Sequence, residues 1–228
     1  MPEATPTFIS SVVLAVHMVS RRRYLGTLAG SLALGSGCLG FQGGTVAFAD
    51  GFENGLGEWS VGAAIGPEVP LEEFEREASV SGEQAAEGER SLRLFTEGSY
   101  DDGVLWVTHA VPVEPGRAYD ATVTLQAWSD SESFNTRRDL VARLGREPPE
   151  REESFPQPGV TSGRFDEVPY GGLRQPLDLT GGWREYGFEW RTPTIETETL
   201  YVSAGVAVIW ETDLTNYVDA VEVALSPR

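Results

Sequence analysis

Two tryptophans stand where a short apolar segment of the chain gives way to polar residues. Trp128 runs into a segment rich in carboxylates and amides, and Trp210 runs directly into Glu211. An aromatic face can stack on a sugar ring, while nearby carboxylates and amides hydrogen-bond its hydroxyl groups. Core packing is the alternative for each tryptophan, and it is what we expect of Trp59 and Trp183. The candidate binding residues are Trp128, Asp130, Glu132, Asn135, Trp210 and Glu211.

The same carboxylates raise the alternative of glycosidic catalysis. A glycosidase uses two carboxyl groups about 5–10 Å apart, one with a raised pKa, and Glu211 with Glu132 or Asp130 could supply them. A chain with 35 acidic residues also provides such pairs by chance. One cysteine and two histidines, of which His109 lies alone in a predicted strand, do not favour Cys–His or zinc chemistry. Phosphate-loop, dinucleotide and serine-hydrolase motifs are absent, so the sequence favours a protein that binds without catalysing.

Short apolar runs separated by Gly, Pro, Asn and Asp predict a chain built almost entirely of β-strands. In 119–127 the apolar residues recur at every second position, which is typical of an antiparallel sandwich with one polar face. If the strands that end at Trp128 and Trp210 pair in one sheet, their ends converge on one rim, to which Trp106 and Tyr100 can also belong. The predicted strands are 46–49, 59–63, 74–79, 91–96, 103–111, 118–128, 139–144, 184–190, 199–209 and 216–225.

The charge of the chain narrows the class of partner. There are 35 acidic residues against 17 basic ones, for a net charge of −18, and every basic residue is an arginine. Such a surface repels nucleic acid phosphates and anionic membranes, so we expect neither as a partner. An acidic chain without lysine is typical of extremely halophilic microbes, because concentrated salt screens the repulsion between its charges.

The N-terminal region, 1–37, is interpreted as a twin-arginine export signal. Residues 20–25 are Ser-Arg-Arg-Arg-Tyr-Leu, an arginine pair followed by an aromatic residue and a leucine. The weakly apolar stretch 26–37 that follows is too short to span a bilayer as a helix. An apolar stretch also precedes the arginines, which suggests that translation starts at Met18. We therefore expect the protein to work outside the cytoplasm.

The single cysteine, Cys38, lies directly after this region in Leu-Gly-Ser-Gly-Cys. This segment resembles a lipoprotein processing box, in which small residues precede the cysteine that carries the lipid. A leucine is usual where Gly35 stands, so cleavage elsewhere, such as after Ala49, with free secretion is the alternative. On the first interpretation the chain is attached to the membrane through a lipid only, and 38–44 is a short tether.

The remaining chain, 45–228, is the length of one domain. One segment in it, 147–176, is rich in proline and charge and is predicted to leave the sandwich as a long excursion. Long loops of this kind are either functional or simply solvated.

Three segments of this domain form a recognisable pattern. They are Asp-Gly-Phe-Glu-Asn-Gly-Leu-Gly-Glu-Trp at 50–59, Ala-Glu-Gly-Glu-Arg-Ser-Leu-Arg-Leu at 86–94 and Tyr-Val-Asp-Ala-Val-Glu-Val at 217–223. In this order they resemble the jelly-roll carbohydrate-binding modules of the galactose-binding-like group. The resemblance implies an all-β, antiparallel β-sandwich that binds a glycan or a cell-surface protein.

The same resemblance implies a structural calcium ion that joins the first and last strands. Glu53 and Asp219 would supply carboxylate oxygens, and the turn from Gly88 to Ser91 would supply carbonyls. Calcium takes six to eight oxygen ligands, so the chemistry is reasonable. Ala220 stands where the family often has a second aspartate. The alternative is that Glu53 caps a turn and Asp219 binds neighbouring backbone.

Three functional hypotheses remain at this point. The first is a non-catalytic module, exported and lipid-anchored, that binds a glycan or a surface partner. The second is a glycan-active hydrolase that uses paired carboxylates. The third is a purely structural protein of the cell envelope, which full burial of the candidate tryptophans would favour.

Overall fold

The computed structural model describes residues 46–67, 69–100, 102–131, 137–177, 181–208 and 212–228. In these ranges the regular structure is β, apart from two short 3₁₀ turns at Leu71–Glu73 and Glu152–Ser154. The strands are β1 (Val46–Asp50), β2 (Ser60–Ala64), β3 (Arg76–Ser81), β4 (Ser91–Thr96), β5 (Gly103–Pro112), β6 (Tyr119–Ser129), β7 (Arg138–Gly145), β8 (Gly171–Pro176), β9 (Arg184–Arg191), β10 (Thr199–Val208) and β11 (Leu214–Pro227). None of the described residues forms a helix long and apolar enough to cross a membrane.

The strands form two antiparallel sheets. In the first sheet the order is β3-β4-β11-β6-β9, and β1 pairs with the later part of β11. In the second sheet the order is β2-β5-β10-β7-β8. This arrangement confirms the predicted all-β, antiparallel sandwich. Ten of the eleven strands coincide with predicted ones to within two residues at both ends.

The main core lies between the two sheets, and strand alternation decides which side chains enter it. Along β6 the odd-numbered residues from Tyr119 to Ser129 are buried, while the even-numbered ones are partly exposed. Leu125 and Val123 face the core, so Gln126 and Trp128 point to the opposite, outward face of the first sheet.

A β-bulge interrupts β11 at its pairing with β6. Asp219 pairs with Gln126 and Glu222 pairs with Thr124, so two residues of β11 stand opposite Leu125. Ala220 adopts a left-handed conformation with φ of 48° there. Val218 and Val223 are five positions apart, so regular alternation would place them on opposite faces, and the bulge lets both remain in the core.

The outward face of the second sheet is covered by the proline-rich excursion. Phe155 is buried against Trp106, with ring centroids 5.4 Å apart in an edge-on arrangement. Nearby, Arg174 of β8 forms ion pairs with the buried Asp139 (3.0 Å) and with Glu152 (2.7 Å) of the excursion. Within the predicted excursion 147–176, Phe155 packs on the second sheet and the last residues, Gly171–Pro176, form β8.

Candidate functional site

Three aromatic rings lie together on the outward face of the first sheet. Trp128 stacks on Tyr217 with centroids 5.6 Å apart and an interplanar angle of 20°. Trp183 approaches both rings, at 6.2 Å from Trp128 and 6.4 Å from Tyr217. Both tryptophans are partly exposed, while Tyr217 is 4% exposed beneath them. We call Trp128, Trp183 and Tyr217 the aromatic platform.

Strand order places the aromatic platform, because its rings come from adjoining strands. Tyr217 of β11 pairs directly with Trp128 of β6. Trp183 precedes β9, whose first residue, Arg184, pairs with Ala127. Side chains at paired positions of neighbouring strands contact each other on the same face, so the three rings form a continuous aromatic surface across the sheet.

A hydrogen bond holds the Tyr217 side chain, and ion pairs of the neighbouring Arg93 surround it. The Tyr217 hydroxyl donates to Glu83 Oε2 at 3.0 Å. Arg93, which pairs with Tyr217 in register, lies 3.3 Å from Glu77 and 3.9 Å from Glu83. Burial, followed by the bond to Glu83, raises the pKa of Tyr217 to about 12, so the phenol stays protonated at neutral pH and remains a hydrogen-bond donor.

Asp130 lies beyond Trp128 on the same face, just after β6 ends. Its backbone N–H donates to the Thr215 carbonyl at 3.2 Å, which keeps it beside β11. Desolvation raises the pKa of Asp130, although a backbone hydrogen bond from Thr215 to its carboxylate and the positive charge of Arg138 act in the opposite direction. Asp130 is exposed, so it can accept hydrogen bonds from a ligand that rests on the aromatic platform.

A cavity of about 260 Å³ lies farther along the same face. Its lining includes Gln126, two residues before Trp128 on β6, and Thr124, two residues before that. Among the described residues, its charged lining consists of four carboxylates with no arginine. These carboxylates belong to Asp50, Glu87, Glu185 and Glu222. We call this the acidic cavity.

The structure brings Trp128 and Asp130 of the predicted rim together. Glu132, Asn135, Trp210 and Glu211 lie outside the described residues. Cys38, the predicted lipid-bearing residue, lies outside the described residues as well. The predicted rim required the strands that lead to Trp128 and to Trp210 to pair in one sheet. They do not, because β6 belongs to the first sheet and β10 to the second.

Other aromatic predictions had mixed outcomes. Trp59 is buried in the core, as expected. Trp183 was expected there too, but it lies at the surface in the aromatic platform. Trp106 belongs to the second sheet and is 3% exposed, so placing it on the rim is wrong. The Tyr100 hydroxyl donates to Glu73 at 3.1 Å in an exposed loop.

Sequence reasoning missed Tyr217 as a site residue. Its neighbours Asn216 and Val218 are both buried in the core, so strand alternation alone turns Tyr217 outward. That alternation can be read from the sequence. The pairing of Tyr217 with Trp128 cannot be read from it, because the pairing depends on which strands, far apart in sequence, are neighbours in the sheet.

The predicted calcium ligands bind backbone N–H groups. Asp219 is fully buried, and its Oδ2 accepts from the N–H groups of Ala86 (2.8 Å) and Glu87 (3.0 Å). Its Oδ1 accepts from the N–H of Ala220 at 2.7 Å. Burial raises the pKa of Asp219, the nearby charge of Glu53 adds to this, and the three N–H bonds lower it.

Glu53 holds the same loop from the other side. Its Oε1 accepts from the N–H groups of Glu89 (2.8 Å) and Arg90 (3.0 Å). The same oxygen lies over Gly88, where φ is 63° and a Cβ would collide with it. Ser91 uses its hydroxyl to donate to a carbonyl of the loop at 2.6 Å.

Three of the four carboxylate oxygens of Glu53 and Asp219 are thus turned towards N–H donors. In the described ranges no group of three or more His, Cys, Asp or Glu residues could hold a metal ion. As placed, the residues do not offer the six to eight free oxygens that calcium takes. They match the alternative of turn capping, and the calcium site stays a prediction.

Comparisons with known proteins return similarity to solved β-sandwich structures. A family 61 carbohydrate-binding module in complex with β-1,4-galactotriose aligns with a TM-score of 0.45 at 12% identity, over 76% of this chain and 93% of that one. The C-terminal family 22 carbohydrate-binding module of Clostridium thermocellum Xyn10B aligns with a TM-score of 0.44 at 18% identity, over 78% and 93%. The K3 cleaved adhesin domain of Lys-gingipain from Porphyromonas gingivalis aligns with a TM-score of 0.46 at 11% identity, over 79% and 99%. No protein-family model and no curated protein sequence matches the chain.

Proposed function

We propose that this protein binds a glycan, without catalysis, on the outward face of its first sheet. The observation that carries the proposal is the aromatic platform, in which two rings from adjoining strands and a third from the residue before β9 lie together beside Asp130. Sheet faces of soluble proteins are normally covered or polar, so adjoining partly exposed rings indicate a contact surface.

The platform has the chemistry of a sugar site. The apolar face of a sugar ring packs on an aromatic face, and polar groups at the edge determine its orientation. Asp130 lies at one end of the platform and Gln126 at the other, and together they offer hydrogen-bond acceptors and donors to the hydroxyl groups of a sugar. A cell-surface protein that carries such a glycan would be recognised through the same surface.

A binding role is favoured over hydrolysis by how two carboxylates near the rings, those of Glu77 and Glu83, are used. Glu83 accepts the Tyr217 hydroxyl and lies near Arg93, and Glu77 pairs with Arg93. These carboxylates hold the platform in place rather than facing each other across a free gap, as the two carboxylates of a glycosidase do.

Location outside the cytoplasm is part of the proposal. Its support is the twin-arginine motif at 20–25 and the single cysteine, Cys38, that follows it. Lipidation at Cys38 would tether the sandwich at the cell surface, and cleavage elsewhere would release it. Mass spectrometry of the natively processed protein distinguishes the two, because a diacylglycerol on Cys38 adds a defined mass.

Replacing Trp128 by alanine tests the proposed site. We expect Trp128→Ala to weaken binding to the best ligand of a polysaccharide panel at least about 30-fold, because central aromatic residues of an interface often contribute 2 kcal/mol or more. Affinity electrophoresis or isothermal titration calorimetry measures the change. Phe165→Ala is the matched control, since Phe165 is an aromatic residue 77% exposed on the excursion. Unchanged affinity in Trp128→Ala with an intact fold would refute the site.

A further inference from the structure

The outward face of β6 offers a path longer than a single sugar ring. Trp128, Gln126 and Thr124 follow one another on that face, and the last two line the acidic cavity. Four residues at about 3.4 Å rise separate Trp128 from Thr124 by about 14 Å. A ligand that covers both the aromatic platform and the acidic cavity must therefore be an extended chain.

Carboxylates border this path on both sides. Glu185 of β9 pairs in register with Gln126, and Glu222 of β11 pairs with Thr124. Both are exposed on the outward face. Asp50 and Glu87 also line the cavity, although the two oxygens of Asp50 accept hydrogen bonds from the Phe52 N–H and the Trp59 indole N–H, each at 2.8 Å.

The arginines near the path do not balance these charges. Arg93 is paired with Glu77 and lies near Glu83. The guanidinium of Arg184 lies over the Tyr186 ring at 5.6 Å. Arg191, at the far end of β9, forms an ion pair with Asp120 at 3.0 Å.

A polyanionic glycan on this path would bring carboxylate or sulfate groups beside the exposed carboxylates of Glu185 and Glu222. Like charges at contact distance repel strongly where water is partly excluded, and an interface uses such repulsion to reject wrong ligands. A neutral chain meets no such penalty, because its hydroxyl groups can donate hydrogen bonds to the same carboxylates.

We propose that the ligand is an extended, uncharged glycan, and that Glu185 and Glu222 are specificity-determining residues that exclude polyanionic glycans. This inference rests on the proposed function, since it concerns the ligand of the same site. On this proposal, the acidic cavity binds the part of the glycan that extends beyond the aromatic platform.

The experiment compares neutral polymers with charged counterparts. Galactan is set against polygalacturonate and dextran against dextran sulfate, each at about 0.1 M and 1 M salt. We expect each polyanion to bind at least about tenfold more weakly than its neutral counterpart at 0.1 M salt. The difference should shrink at 1 M, where the screening length falls from about 10 Å to about 3 Å.

Reversing the charges of Glu185 and Glu222 tests whether these two residues cause the discrimination against polyanions. We expect the double variant Glu185→Lys/Glu222→Lys to raise the polyanion-to-neutral affinity ratio at least about tenfold. Glu196→Lys/Glu198→Lys is the matched control, because it makes the same charge change in the loop between β9 and β10, and its ratio should stay the same. Circular dichroism checks the fold, and Glu185→Gln/Glu222→Gln, with a smaller expected rise, replaces the lysine variant if that one does not fold.

The outcomes separate this inference from the proposed function. If a polyanion binds as well as or better than its neutral counterpart, or if the control shifts the ratio as much as the border variant, the charge inference is overturned while glycan binding stands. Equal affinity for a monosaccharide and for longer oligosaccharides overturns the extended-chain part. Failure of the wild-type protein to bind any glycan overturns the proposed function itself.

Discussion

Tyr217 shows how a single residue serves both the fold and the site. Its ring is the base on which Trp128 stacks, and its hydroxyl is bound to Glu83. Burial and the bond to Glu83 raise the pKa of Tyr217 to about 12, so the phenol is held in the neutral form that an ordinary tyrosine also has near pH 7. The platform therefore depends on a fixed phenol rather than on a side chain that changes charge.

Among the described residues, His109 is a histidine whose surroundings disfavour its charged form. It stacks on Phe48 at 4.4 Å and lies 5.2 Å from the Trp59 ring, with Nδ1 buried and without a hydrogen-bond partner. Desolvation lowers the pKa of His109 from 6.5, and Glu58 opposes this only in part. The folded state thus favours the neutral imidazole, whereas the unfolded chain is protonated more readily.

We predict that this histidine makes the protein less stable as the pH falls. A lowered folded-state pKa contributes stability that is present above pH 6.5 and is lost as the pH falls through the folded-state pKa. The free energy of unfolding should decrease between pH 7.5 and pH 5, and the decrease should be smaller in His109→Phe, which keeps a ring on Phe48. Urea unfolding at each pH measures it, and equal pH dependence in both proteins would contradict the role of His109.

Among the elements, β8 is the strand that the sequence pattern did not predict. It contains Gly171 and Gly172 and ends at Pro176, all of which normally indicate a loop. The structure explains the glycines, because a Cβ at Gly171 would collide with Trp190 and a Cβ at Gly172 with the Ala142 carbonyl. The apolar signal of this strand is missing since its neighbours fill the space that its own side chains would occupy.

The other strands were predictable from short apolar runs between turn residues, and in β6 also from strict alternation of buried and partly exposed side chains. The candidate site was predictable only in part. Alternation along β6 indicates that Trp128 points away from the core, but Trp183 reaches it from β9 and Tyr217 from β11. Contacts between strands far apart in sequence depend on sheet order, which local patterns do not contain.

A glycine in β10 allows a close approach that packs the second sheet. A Cβ at Gly205 would collide with the Leu105 carbonyl and with Trp106. We predict that Gly205→Ala lowers the free energy of unfolding by about 2 kcal/mol or more, in the range of overpacked cores. Gly181→Ala is the control, because no atom lies within 4 Å of its added Cβ. Thermal unfolding compares the two, and similar midpoints would show that the sheet relaxes around the extra methyl group.

At the scale of the whole molecule, the loop 86–90 connects the segment after the first strand to the last strand, through Glu53 and Asp219. The predicted calcium ion and the observed N–H bonds give different expectations for this connection. From the bonds we predict that millimolar calcium chloride leaves the unfolding midpoint equal to that in sodium chloride of matched ionic strength. A higher midpoint in calcium, lost in Glu53→Gln, would instead support a calcium site, because a ligand of the native state adds stability.

The net charge of −18 should make the stability of the whole sandwich depend on salt. Self-repulsion destabilises a compact, highly charged chain, and added salt screens it. We predict that the thermal unfolding midpoint rises between 0.1 M and 1 M sodium chloride, over which the screening length falls from about 10 Å to about 3 Å. Glu196→Lys/Glu198→Lys removes four units of negative charge, so its midpoint should be higher at 0.1 M salt and rise less. If the unfolding midpoint of both proteins is independent of salt, the acidic surface is locally compensated. The physical argument for a halophilic origin would then be lost.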